Sequence, residues 1–389
     1  MRDFTGLAIR AGIFAVAALG CGDNIHPAKT DASGGPLTDA PGSSQDGGGG
    51  GDACTAANTC GGTCTDLMTD PNNCGMCGHV CGCGSTTCTA GLCDAATLAG
   101  DQWAPYQIAV SGSNAYWGDD GATAHANVMT APIGGGSATV QFAGLTAVRG
   151  FAFDGGDMYL TRFEFNVVEF GPLTGANVQN FTDEEEQGAD GMTSDATTLY
   201  WTDYAAGTVH SKAFTLGLPD GTVVASGQSH PAGIAVDSTS IYWTENEAGG
   251  SIMKIAKVLG TANSIATGQA SPNQIVLDAA GDVFWTNDGT SGSANSGQLM
   301  ELPAGTTTPV QIATGSPDHL AVDANNLYWT DLGGTVNRLP LAGSNAMPIV
   351  VVQGENEPVG LAVTASCMYF TDYAAGAEGS GTVRSHDLE

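Results

Sequence analysis

The sequence predicts an all-β chain, on three observations. A Tyr/Phe motif, followed by a second aromatic in six of its seven copies, recurs at Tyr116, Tyr159, Tyr200, Tyr242, Phe284, Tyr328 and Tyr369, with a period of 41 to 44 residues. Glycine makes up 57 of 389 residues, alongside many Ser, Thr, Asn and Asp, which supply turns and disfavour helix. Within each period short apolar/polar alternations end at a turn residue, as Ile234 and Val236 before Asp237, or Leu320 and Val322 before Asp323. Four short strands in about 42 residues is the period of a propeller blade. The predicted architecture is a seven-bladed β-propeller, with six blades as the alternative, closed by an N-terminal strand and preceded by a small disulfide-rich module.

The elements follow in chain order. Arg2 and Arg10 precede or flank an apolar run at 11–19, too short to span a bilayer and suited to the h-region of a signal peptide. The run ends at Ala18-Leu19-Gly20-Cys21, which resembles a bacterial lipobox and implies lipidation at Cys21. Residues 1–21 are therefore expected to be signal peptide and lipobox, and the protein an exported lipoprotein of the outer membrane or cell surface. Ordinary signal-peptidase cleavage, giving a secreted or periplasmic protein, is the alternative. No other segment approaches 18 apolar residues, so the lipid is the only membrane anchor expected. Residues 22–53, almost without large apolar side chains, read as a disordered Gly/Ser/Pro linker with a reach of roughly 30 Å.

Nine of eleven cysteines crowd into 54–93: Cys54, Cys60, Cys64, Cys74, Cys77, Cys81, Cys83, Cys88 and Cys93. So little apolar surface accompanies them that cross-links must supply the stability, which points to an oxidising compartment. The stretch Thr69 to Cys81, with Cys88 and Cys93, resembles cysteine-rich modules of myxobacterial lipoproteins. Zinc is the competing reading, because Cys74-x2-Cys77 with His79 and Cys81 has ligand-like spacing.

Residues 94–389 carry the repeat. The last unit stops after its third strand, while 95–100 has the pattern of a fourth strand, so an N-terminal strand is expected to complete the last blade and remove an open edge. Tyr200 to Asp203 and Tyr328 to Asp331 spell Tyr-Trp-Thr-Asp, which resembles the YWTD propellers of the low-density-lipoprotein-receptor family. Receptors of that family have six blades, and the sevenfold repeat is closer in outline to streptogramin-lyase and other NHL/TolB-like propellers.

The aromatic pairs are expected in the core, and the Asp, Glu or Asn that ends each motif in blade-linking hydrogen bonds. Function is sought where the repeat is broken and loops meet the channel. The turns between a fourth strand and the next first strand place Gln107, Arg149, Asp190, His230, Asn273, Asp318, His319 and Glu357 near one mouth. His230 and His319 among carboxylates could make a metal or general-base site, the alternative being solvated loop residues. Acidic Gly-rich loops, including 183–186, could hold calcium or simply form a solvated face; no other cofactor is expected. Blade two departs at Thr161 to Phe165, offering a protein-binding patch or a packed edge.

A net charge of −30 excludes nucleic acid as a partner. No G-x-S-x-G, H-E-x-x-H or P-loop is present. Cys367 stands where other repeats carry Asn, Asp, Thr or Ser, in a turn on the face that also holds Cys93; it is expected either to pair with Cys83 or Cys81 or to be an unpaired thiol. The function expected is a monomeric cell-envelope binding or scaffold module for a protein, glycan or peptide. A lyase or hydrolase with a site at the channel mouth is the alternative.

Overall fold

A computed structural model describes residues 59–60, 63–120, 126–165, 167–175, 177–182, 188–214, 221–258, 260–289, 296–342, 346–374 and 379–388. The expected leader, Cys21, the linker, Cys54 and the acidic run 183–186 lie outside the described residues.

Seven four-stranded antiparallel sheets form a ring. Their innermost strands, Pro105–Ser111, Val148–Asp154, Ala189–Ser194, Pro231–Val236, Pro272–Leu277, Pro317–Val322 and Pro358–Val363, number the blades 1 to 7. Each inner strand contacts the next, and that of blade 7 contacts that of blade 1. Seven blades close the ring, not six. Blade 7 takes its outer strand from Ala96–Gln102, which pairs antiparallel with Gly381–Asp387, Val383 lying opposite Ala99. The C-terminal edge is thereby covered. Among the described residues the only helix is the 3-10 turn Phe163–Phe165.

The motif builds the seams. Successive residues of the second strand point to opposite sheet faces, so the first aromatic of one blade meets the second of the next. Tyr369 packs with Trp117, Tyr159 with Trp201, Tyr200 with Trp243, Tyr242 with Trp285, Phe284 with Trp329, and Tyr328 with Phe370. Between blades 1 and 2 the partner of Tyr116 is Leu160. Truncating one of these rings to alanine would cost about 3–5 kcal/mol. Three indoles are also tied across the seam, Trp117, Trp243 and Trp285 donating from Nε1 to Gln102, Gln228 and Gln269 at 3.0, 3.2 and 3.0 Å.

The blade-linking hydrogen bond that recurs most regularly belongs to the motif threonine, one residue before the expected Asp, Glu or Asn. Thr202 Oγ1 accepts the Gly191 N–H of its own inner strand at 3.0 Å and donates to Ala232 O of the next at 2.6 Å. Thr244, Thr286, Thr330 and Thr371 repeat this double bond, and Thr371 closes the ring onto Tyr106 O at 2.6 Å. Thr161 donates to Asp190 O. Blade 1 has Gly118 in this slot, where a Cβ would stand 3.1 Å from Val148 Cβ, so no hydroxyl is offered to blade 2. The residue that ends the motif adds bonds at the lead-in to its blade: Glu245 accepts the Ser229 N–H at 3.1 Å and Asp331 the Ser316 N–H at 2.9 Å. Asn287 in blade 5 reaches the outer strand of blade 4, its Nδ2 donating to Gln269 Oε1 at 3.2 Å.

The module is cross-linked by Cys60–Cys77, Cys74–Cys88 and Cys81–Cys93, and Cys83 is bonded to Cys367. Zinc ligation by Cys74, Cys77 and Cys81 is overturned, since all three sulfurs are in disulfides, and His79 Nδ1 contacts Cys74 O at 2.8 Å. The module sits on the end of the last strand. Ser385 Oγ donates to Cys83 O at 2.6 Å, the Gly82 N–H to Asp387 Oδ2 at 3.3 Å, and the buried His386 contacts Cys93 O through Nε2 at 2.8 Å. Cys367 opens the second strand of blade 7 and Asp372 ends it beside Pro358. The module therefore lies on the face opposite the starts of the inner strands.

Candidate functional site

The inner strands begin at one mouth of the channel, and the turn leading into them has a fixed form. The residue just before the strand is left-handed in most blades: Ala104 (φ 51), Ala147 (φ 56), Gly188 (φ 89), His230 (φ 50), Ser271 (φ 56) and Glu357 (φ 56). Its carbonyl accepts the N–H of the residue after the second strand, as His230 O from Asn246 at 3.0 Å, Gly188 O from Tyr204 at 2.9 Å and Glu357 O from Tyr373 at 3.1 Å. His230 and Glu357 thus occupy a repeated backbone position rather than a special one.

The second residue of the inner strand is Arg149, Asp190, Asn273 and Asp318 in blades 2, 3, 5 and 6, and Tyr106 in blade 1. The third is glycine in four blades, for a steric reason. A Cβ on Gly191, Gly233 or Gly360 would lie 2.2, 2.2 or 2.1 Å from a carbonyl oxygen of the next inner strand. Only Gln107, Gln274 and His319 carry a side chain there.

Four of the eight expected residues meet in one cluster. His319 is buried, 3% exposed, and its Nδ1 lies 2.8 Å from Asp318 Oδ2 while Nε2 lies 2.6 Å from Gln107 Oε1. An ionised carboxylate only accepts, so Nδ1 carries a proton toward Asp318. The Tyr106 ring stands edge-on to His319 at 5.4 Å and to Tyr373 at 6.4 Å, and Arg149 lies over the Tyr106 ring at 4.8 Å. Gly360 stands at the same strand position in blade 7, between His319 of blade 6 and Gln107 of blade 1, and a Cβ there would meet the Tyr106 carbonyl.

The other four are elsewhere. His230 is exposed and lies 4.8 Å from the Tyr204 ring, which meets Phe163 at 5.9 Å. Asn273 Nδ2 donates to Asp288 Oδ1 at 3.4 Å, and Asn246 Nδ2 lies 3.5 Å from Asp288 Oδ2. Asp190 is half-buried and Glu357 stays in its turn. His230 and His319 therefore belong to separate clusters. Among the described residues neither histidine joins a trio of ligand groups within 4.8 Å; the two trios that do form both include Cys93, whose sulfur is in a disulfide.

Tyr106, Tyr204, Tyr373 and Gln274 were not singled out by sequence. The signal for Gln274 was present: it interrupts the glycine register at the third inner-strand position. Tyr204 and Tyr373 sit beside the repeated motif, where an aromatic reads as core, and Tyr106 stands in the inner strand of blade 1.

A buried carboxyl pair lies in the seam before blade 7. Glu355 takes the place of Gln102, Gln228 and Gln269, three residues before the inner strand, where blade 7 has Phe370 instead of tryptophan. Burial, and then the neighbouring Asp372, push the Glu355 carboxyl up to about 8; burial also raises Asp372. Arg384 Nη1 lies 3.4 Å from Glu355 Oε2, and Thr382 Oγ1 donates to Asp372 at 2.9 Å.

No protein-family model matches the sequence, and no curated protein matches it. Solved structures do. Catalytically inactive virginiamycin B lyase from Staphylococcus aureus with quinupristin is 17% identical at a TM-score of 0.59, over 76% of this chain and 99% of that one. A streptogramin B lyase structure is 17% identical at 0.58, over 76% and 97%. Hydrazine synthase of Kuenenia stuttgartiensis is 12% identical at 0.57, over 73% and 96%. At these identities the likeness establishes the propeller fold.

Proposed function

We propose that this chain is an exported binding module, held at the cell envelope by a lipid on Cys21, that engages a partner at the mouth lined by Tyr106, Arg149, His319 and Tyr373 without transforming it. One observation carries the reading. The side chains that break the repeat converge on the mouth, yet the histidine with the best-placed carboxylate has both ring nitrogens engaged, by Asp318 and Gln107. A general base needs its second nitrogen within reach of substrate. The propeller fold is shared by binding modules and lyases, so the fold alone favours neither.

The lyase or hydrolase reading draws on the Asp318–His319 pair, and the same experiment addresses it. Full-length protein is incubated with envelope glycan and peptide fractions, and the retained material is eluted and weighed by mass spectrometry. The expected result is intact material, retained roughly tenfold less by the double variant Tyr106→Leu, Arg149→Ala at unchanged thermal midpoint. Conversion of that material by the wild type, abolished in His319→Ala, would overturn the binding reading in favour of the enzyme.

A further inference from the structure

The mouth is divided by chemistry. At the residue following the second strand, blades 2, 3 and 7 carry Phe163, Tyr204 and Tyr373, and blade 1 contributes Tyr106 from its inner strand, so an aromatic arc runs through blades 7, 1, 2 and 3. All four rings are half-buried. At that same position blades 4 and 5 carry Asn246 and Asp288, and Asn273 joins them from the inner strand of blade 5. These three are bonded together, the Asp288 carboxylate lying between two amides at 3.4 and 3.5 Å, which fixes its orientation.

We propose that the mouth binds an uncharged carbohydrate, its pyranose C–H faces against the aromatic arc and its hydroxyls on the Asn246, Asn273 and Asp288 arc; this rests on the binding reading above. A sugar ring presents an apolar face and a rim of hydroxyls, each both donor and acceptor. Flat rings meet the first, and amide and carboxylate groups meet the second. A peptide docking as an added strand needs open backbone groups. Near the mouth such groups of the inner strands are taken: the N–H of Gly191, Gly233, His319 and Gly360, and the carbonyls of Asp190 and Ala232, are bonded to motif threonines. The net charge of −30 selects against uronic or sulfated sugars.

The test is an oligosaccharide array of gluco-, manno-, galacto- and xylo-configured uncharged chains, with uronic-acid and sulfated counterparts and a peptide array as further arms, probed with the full chain. Binding to at least one uncharged series is expected, nearly independent of salt. It should weaken at least about fivefold in Tyr204→Leu, which keeps apolar bulk without the flat face, and in Asn273→Ala. Binding confined to acidic sugars or to peptides, no sugar binding at all, or sugar binding indifferent to both variants would overturn the proposal. Should a peptide bind and be lost in these variants, the mouth remains the site and the sugar assignment alone fails. A partner that survives every mouth variant removes the binding reading as well.

Discussion

At the scale of the residue, the left-handed position before each inner strand separates backbone duty from side-chain duty. An L-residue with a Cβ held there costs about 1–2 kcal/mol relative to a relaxed conformation, and glycine does not. Gly188 fills the slot in blade 3, while His230 and Glu357 fill it in blades 4 and 7. His230→Gly and Glu357→Gly are therefore expected to leave the unfolding free energy unchanged or raise it by up to about 1 kcal/mol, since the lost strain opposes the entropy that glycine adds to the unfolded chain. A loss above about 2 kcal/mol in chemical unfolding would show that these side chains anchor the mouth. Sequence legibility follows the same division. The Tyr/Phe motif repeats because its first ring is buried in every seam, so the blades could be phased from it. The mouth residues do not repeat, and their grouping depends on which inner strands approach closely. Gln107 and His319 are expected near one mouth, but their contact joins residues 212 apart across a blade that lies between them, and no spacing encodes that. The residue that ends the motif is expected to link blades, as Asn287 does, whereas the recurring link is made by the threonine before it.

At the scale of the element, blade 7 departs from the others where it meets blade 6. Blades 1, 4 and 5 join a tryptophan N–H to a glutamine oxygen, whereas Phe370 offers no donor, and Glu355 instead faces Asp372 and Arg384. The folded-state value for Glu355, about 8, lies above the ordinary 4.5, so the native state holds this proton more tightly than the unfolded chain does. Its contribution to stability is fully present below about pH 4.5 and is lost as pH rises through about 8. The wild-type denaturant midpoint should fall across that window. Glu355→Gln places in blade 7 the residue that blades 1, 4 and 5 use, mimics the protonated acid, and is expected to flatten the fall while leaving low-pH stability nearly unchanged. Equal slopes in the two proteins, measured by chemical denaturation from pH 5 to 9, would locate the pH dependence elsewhere.

At the scale of the whole molecule, the ring is closed by a strand that is also the exit from the cysteine module. Ala96–Gln102 covers the edge of Gly381–Asp387, Gln102 receives the Trp117 indole of blade 1, and Cys83 holds the strand's approach to Cys367. Three kinds of contact thus act at one seam, and removing them stepwise should separate their weights. A chain beginning at Asp94 loses the disulfide and module contacts but keeps the closing strand; it is expected to remain a folded monomer, less stable by about 2–4 kcal/mol. A chain beginning at Pro105 also loses the outer strand of blade 7, leaving Gly381–Asp387 as an unprotected edge and the buried Trp117 N–H without its acceptor. Exposed edges pair with one another, so this shorter chain should elute as oligomers or aggregate in size-exclusion chromatography. If instead both truncations stay monomeric with similar denaturant midpoints, the covalent continuity of the inner and middle strands suffices for closure. The N-terminal strand would then matter for the module's placement alone.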